Sequence, residues 1–177
     1  MYSKLRKIFD IKIIYTIVFL TLASWSFFAY FTMTKLIEKQ KIYAKIINLS
    51  GKQRMLSQKT TLIAKRYFET NNKNLKNHLL ELIKEMEKDH NYITNNLTST
   101  KTEKLYFKTP YELDKKVKEY LSILRTFYKT KDLKTLEKIE FYSFSLLPKL
   151  NSAVDIFENE SETMTKDLLQ RERFILL

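Results

Sequence analysis

No cysteine occurs anywhere in this chain, glycine occurs once, and proline twice. Without thiols there can be no disulfide, no thiolate metal site and no cysteine nucleophile. The redox compartment stays open, because a helical bundle outside the cytoplasm needs no covalent staple. So few turn residues, and no stretch that alternates apolar with polar side chains over the length of a strand, point to an all-α fold. The two histidines, His78 and His90, are twelve residues apart with no second His or Cys at ligand spacing, so neither a metal nor a cofactor is expected. The residues also assemble no nucleophile with its base and no phosphate loop, so the chain is not expected to be an enzyme.

What is present in excess is positive charge, a formal +12 over 177 residues. Lys4, Arg6, Lys7 and Lys12 against Asp10 contribute +3 of this, leaving +9 for the rest. The remaining lysines alternate with acids, as in Lys84-Glu85-Met86-Glu87-Lys88-Asp89, and form a solvated surface instead of one basic stripe. No nucleic-acid partner is expected. A hydrophobic content of 44% in this length suits one domain plus an anchor.

The anchor is the run from Ile13 to Thr34, 22 residues without a charged side chain. At 1.5 Å per residue it spans about 33 Å, enough for a hydrocarbon core of about 30 Å. Trp25, Phe27, Phe28, Tyr30 and Phe31 crowd its exit side, where a cleavable signal would carry small residues, so it reads as an uncleaved signal anchor. The cations before it place residues 1–12 in the cytoplasm, 13–34 in the bilayer and 35–172 outside. The apolar end Phe174-Ile175-Leu176-Leu177 reads as the start of a second span over 173–177, with a cytoplasmic output domain absent from this chain.

Four helical segments are expected outside. The first continues from the anchor to about Glu69, broken by Thr70-Asn71-Asn72; the second carries Leu75, Leu79, Leu82, Ile83, Met86, Ile93 and Leu97, and ends before the polar stretch Thr98 to Thr102. Thr109-Pro110-Tyr111-Glu112 starts the third, with Thr109 as N-cap, proline at the first helical position and glutamate three residues after the cap. Its buried face is Leu113, Val117, Tyr120, Leu121, Leu124 and Tyr128. The fourth begins near Asp132 with Leu147, Leu150, Val154, Phe157, Met164 and Leu168 inward, and Pro148 is expected to kink or briefly break it. Phe127, Tyr128, Phe141, Tyr142 and Phe144 are assigned to core packing. Short connections between amphipathic helices imply an antiparallel four-helix bundle.

Within the first of these segments, Ile46-Ile47-Asn48-Leu49-Ser50-Gly51-Lys52-Gln53-Arg54-Met55-Leu56-Ser57-Gln58 splits into two faces. At about 100° per residue, Ile42, Ile46, Leu49, Leu56, Thr60, Ile63 and Tyr67 fall on one side, and Gly51, Arg54, Gln58, Thr61 and Lys65 opposite. A mid-helix glycine costs roughly 1 kcal/mol relative to alanine, so Gly51 is expected where another backbone or a ligand comes close.

The segment INLSGKQRMLSQK closely resembles the signature of the N-terminal domain of type IV pili methyl-accepting chemotaxis transducers, the PilJ-like sensor family, which usually reads close to INLAGRQRMLSQR. It is more loosely similar to nitrate and nitrite sensor kinases, whose pattern shares Gly51, Arg54, Met55 and Ser57 but differs at Gln53, Leu56 and Gln58. Leu146-Leu147-Pro148-Lys149-Leu150-Asn151-Ser152-Ala153-Val154 with Phe157-Glu158-Asn159-Glu160-Ser161 is similar to the later part of the same domain, which would make roughly 36 to 172 one module. The resemblance implies a parallel homodimer of bundles with the motif helices beside the two-fold axis. A small, anionic ligand would be held by Arg54, with Gly51, Gln58, Ser57 and Ile47 completing the site. The competing expectation is a structural dimerisation or protein-contact module with no small ligand, in which Arg54 meets water or an interface acid.

Overall fold

The computed structural model describes residues 2–176, and five helices account for most of them: α1 (Tyr2–Thr70), α2 (Lys73–Asn95), α3 (Thr100–Phe107), α4 (Leu113–Thr130) and α5 (Leu133–Leu176). The chain divides into two compact units, Met1–Lys41 with Lys166–Leu177, and Ile42–Thr165.

In the first unit, α1 contains a stretch long and apolar enough to cross a membrane, with none of that window buried in the protein. Three of its threonines bond back to the helix. Thr16 Oγ1 donates to the Lys12 carbonyl at 2.9 Å, Thr21 to Val18 at 2.8 Å and Thr34 to Tyr30 at 2.9 Å, the back-bonding that lets threonine sit in an apolar medium. The side chains of 171–177, on which the expected second span rests, lie outside the described residues.

The second unit is a helical bundle. Lys52 of α1 reaches Glu85 and Asp89 of α2, Arg125 of α4 reaches Glu87 of α2, and Lys65 and Arg54 of α1 reach Glu140 and Asn151 of α5. Between α1 and α5 the partners run in opposite order, and between α2 and α4 so do Glu87 with Arg125 and His90 with Asp114, so these pairs are antiparallel. The core is continuous through Ile46, Leu56, Leu79, Met86, Ile93, Val117, Leu124, Ile139, Leu150 and Phe157. Tyr67 meets Phe127 edge-on at 6.1 Å between centroids.

The helix ends show how a chain with a single glycine, itself inside α1, turns its corners. Asn71 and Lys131 take left-handed backbone angles of φ 53° and 49°, positions usually given to glycine. The Lys131 ammonium donates to Asn71 Oδ1 at 2.8 Å, tying the two turns together. Asn72 caps α2, accepting from the Asn74 N–H at 2.8 Å, and Asp132 does the same at the start of α5 for Thr135 N–H at 2.8 Å.

Several expectations are corrected. The start signal at Thr109-Pro110 does not open a helix: α4 begins at Leu113, and Glu112 before it is left-handed (φ 43°) with no side-chain cap bond. Those residues form instead the turn out of α3, in which the Lys108 carbonyl accepts from the N–H groups of both Tyr111 and Glu112 at 3.1 Å. The short helix α3 replaces the expected polar link. It is capped by Ser99, which accepts from the Thr102 N–H at 3.1 Å, and it buries Leu105 and Tyr106. Pro148 does not break α5, which runs through it uninterrupted. Pro148 and Phe144 both lie on the exposed face, so the Phe144 carbonyl that loses its helical donor can face water. Phe141 and Phe144 are 70% and 83% exposed and are not core. The buried stripe of α5 is Leu136, Ile139, Ser143, Leu146, Leu150, Ala153 and Phe157, at alternating three and four residues, and this register leaves both rings outside.

Candidate functional site

The motif helix does present two faces, but the polar residues are shared between them. Arg54 and Gln58 are exposed and Gly51 is half-exposed. Arg54 Nη1 donates to Asn151 Oδ1 of α5 at 3.3 Å, and among the described residues its guanidinium meets no carboxylate. A Cβ built on Gly51 would meet nothing within 4 Å, so the close approach expected there is not made by any part of this chain. Ile47 is half-buried against the core. Ser57 is fully buried and donates to the Arg54 carbonyl at 2.8 Å, so its side chain is turned to the interior and away from the exposed Arg54 guanidinium.

Below Arg54 a shallow groove of about 340 Å³ runs between α1 and α5, lined by Gln58, Thr61, Leu62 and Lys65 from the first and Glu140, Ser143, Phe144 and Leu147 from the second. Leu62 and Phe144 are largely exposed along it, and Met55 is also exposed on α1. An open cation and amide bordered by unpartnered apolar side chains can hold an anion and can also meet another apolar surface.

The inward half of the motif was not anticipated. Ser50, Gln53, Ser57 and Thr60 are at most 1% exposed, so four polar side chains enter the bundle interior from one helix. Buried polar groups need partners: the Ser57 and Thr60 hydroxyls donate to carbonyls of their own helix, while Gln53 and the Ser57 carbonyl are met from other helices. Gln53 Nε2 lies 2.9 Å from His90 Nδ1 on α2, and His90 Nε2 lies 2.8 Å from Asp114 Oδ1 on α4. Lys118 donates to the other oxygen of Asp114 at 2.9 Å. Tyr120 of α4 is hydrogen-bonded to the Ser57 carbonyl and to the hydroxyls of Thr60 and Thr61, at 2.7 to 2.9 Å, and Ser143 of α5 donates to the same carbonyl at 3.1 Å. Tyr106 of α3 has Ser50 beside its hydroxyl, although neither oxygen makes a hydrogen bond of acceptable geometry.

Burial and charge set the protonation states. Burial pushes the His90 imidazole below its ordinary value, against the opposing pull of Asp114. Burial by itself would raise Asp114, yet Lys118 and His90 together hold its carboxyl below the usual carboxylate range. Glu85 and then Asp89 hold the Lys52 ammonium above its ordinary value. Burial pushes both Tyr106 and Tyr120 up, so both phenols stay neutral. No cluster of three His, Cys, Asp or Glu able to hold a metal occurs among the described residues.

His90 could be read from the sequence only as a metal candidate, and Tyr106 and Tyr120 only as core. The one signal available was the motif itself, whose Ser50, Gln53, Ser57 and Thr60 recur every three or four residues.

Residues 36–121 match the family model described as the type IV pili methyl-accepting chemotaxis transducer N-terminal domain. The match takes in the motif and helices α2 and α3, and it ends within α4, before the α5 segment that resembles the later part of the domain. No curated protein and no solved structure matches the chain.

Proposed function

For a chain that over residues 36–121 belongs to the PilJ family of chemotaxis-transducer sensor domains, we propose that the bundle is the periplasmic input of a receptor anchored in a bacterial inner membrane. We further propose that its ligand is a small anion taken at Arg54. The observation that carries this reading is the state of Arg54: exposed on the motif helix, paired with no carboxylate among the described residues, and one helical turn from the exposed amide of Gln58. A guanidinium presents a planar fork of donors that matches carboxylates and oxyanions.

In a parallel homodimer with the motif helices beside the two-fold axis, each Arg54 faces its copy. Two such charges about 8 Å apart at an effective dielectric near 20 repel by roughly 2 kcal/mol. An anion between them reverses the sign and favours one spacing of the helices. Because α1 is a single element from Tyr2 to Thr70, a change of spacing can pass along it to a cytoplasmic output, provided the ligand binds the two arrangements unequally.

The exposed Leu62 and Phe144 favour a second reading, a dimerisation module with no small ligand. Titration calorimetry of the full chain in detergent with a panel of oxyanions and carboxylates separates the two. Binding of one of them with a stoichiometry of one per two chains supports the sensor reading. No heat from any, with a dimer nonetheless present, leaves the structural module.

A further inference from the structure

The opposite face of α1 carries a separate function. We propose that the proton is a second ligand of this domain, bound at His90, and that its binding turns over the Gln53 amide and so reports acidity to the motif helix.

The ring is held from two sides. His90 is 1% exposed on α2, with Nδ1 at 2.9 Å from Gln53 of α1 and Nε2 at 2.8 Å from Asp114 of α4. A carboxylate only accepts, so Nε2 carries the hydrogen of the neutral ring, and Nδ1 must accept from the Gln53 amide nitrogen. That arrangement strands the other end of the amide: Gln53 Oε1 is buried with no hydrogen-bond partner, and so are the hydroxyls of Ser50 and Tyr106 in the same core. Protonation makes both ring nitrogens donors. Nδ1–H then meets the amide favourably only if Gln53 rotates to present Oε1, which satisfies the stranded oxygen. The freed NH2 then turns into a core that already holds two unpartnered hydroxyl oxygens.

The charged and titratable neighbours are accounted for on each packed element. From α4 come Asp114, which favours the imidazolium, and Lys118, which opposes it. On α2 itself Asp89 is committed to Lys52 of α1 at 2.9 Å. Tyr106 of α3 lies with its ring 6.1 Å from the imidazole, and Phe157 of α5 packs on Tyr106. Burial sets the midpoint on the acid side of a free imidazole. The imidazolium still keeps two acceptors, which makes its formation inside the folded bundle feasible.

The test uses the full chain in lipid nanodiscs, labelled with 15N at histidine and glutamine. The chain has two histidines, so half-exposed His78 serves as an internal reference and His78→Gln assigns the pair. Three results are expected: His90 in the Nε2–H form at pH 8, a midpoint below that of a free imidazole, and a Gln53 side-chain amide resonance that moves with the His90 midpoint. Gln53→Leu removes the bond to Nδ1 in both forms, and should lower the proton affinity of His90 by about tenfold because the charge-assisted bond to the imidazolium is the stronger of the two. An Nδ1–H tautomer, a His90 that stays neutral until the chain unfolds, or a Gln53 amide that ignores the titration would each overturn the proposal. These three measurements are made on the unaltered chain, so they decide the matter even if Gln53→Leu does not fold.

Discussion

The hydroxyl of Tyr120 on α4 donates to the backbone carbonyl of Ser57 on α1 at 2.7 Å. That carbonyl is also approached by the hydroxyls of Thr61 and Ser143, at 3.0 and 3.1 Å, so one backbone atom of the motif collects donors from three helices. Tyr120→Phe keeps the ring and removes the hydroxyl, and should lower stability by about 1 to 2 kcal/mol, with Thr60 and Thr61 keeping their bonds along α1. Urea unfolding followed by circular dichroism measures it; a loss below a few tenths would mean the phenol is not needed to join α4 to α1.

The two faces of α1 should separate cleanly by mutation. Arg54→Ala should abolish anion binding while changing stability by less than about 0.5 kcal/mol, because the side chain is exposed. Arg54→Lys should also be impaired, since lysine keeps the charge and loses the fork. Leu56→Ala, at a fully buried position two residues on, should cost about 2 to 5 kcal/mol and leave ligand selectivity unchanged. Calorimetry beside unfolding curves for all three variants checks this, and anion binding that survives Arg54→Ala would remove the site.

Asp132 gives a stability term with a definite sign in pH. The hydroxyls of Thr130 and Thr135, with the Thr135 N–H, hold its carboxyl at about 2. Its folded value lies below the unfolded value of about 3.9, so the stabilisation is complete above pH 4 and is lost as pH falls through about 2. Asp114 is also held low and acts in the same direction, so the contrast between chains is what isolates the cap. Asp132→Asn should flatten the fall in stability between about pH 4 and 2. Identical slopes for the two chains would show that the cap carries no proton linkage.

The proposed export of the bundle rests on four cations before an uncharged stretch of 22 residues. A phosphatase reporter fused after Leu97 should be active, and one fused before Lys12 silent. The reverse pattern would invert the receptor.

The heptad-like spacing of α2 and α4 was legible because most of their apolar stripe is buried, from Leu79 to Ile93 and from Leu113 to Leu124, although Phe127 takes the last buried place expected for Tyr128 and α2 also buries Asp89 and His90. α3 escaped because Thr100 to Lys104 is polar and its two core residues, Leu105 and Tyr106, make too short a pattern. In α5 both Leu146 and Leu147 fit an inward stripe, and only packing against the other helices chooses Leu146. The outward part of the site, Gly51, Arg54 and Gln58, could be placed by helical geometry alone. The inward part could not, since His90, Asp114, Tyr120 and Ser143 lie 33 or more residues from Ser57, and nothing local announces that the first two join Gln53 and the last two the Ser57 carbonyl.

Lys52 and Arg54, two residues apart, point to opposite sides of α1, one clasped by Glu85 and Asp89 and the other open. The motif is therefore two messages written on one helix. Ser50, Lys52, Gln53, Ser57 and Thr60 must be matched by residues elsewhere in the bundle, so they can change only in concert with them. Among the described residues Arg54 bonds only Asn151 across the bundle, and a side chain at Gly51 would meet nothing. On the proposed site, altering Gly51, Arg54 and Gln58 would change what is detected and keep the architecture. Two proteins could then share most of this signature and respond to different chemicals.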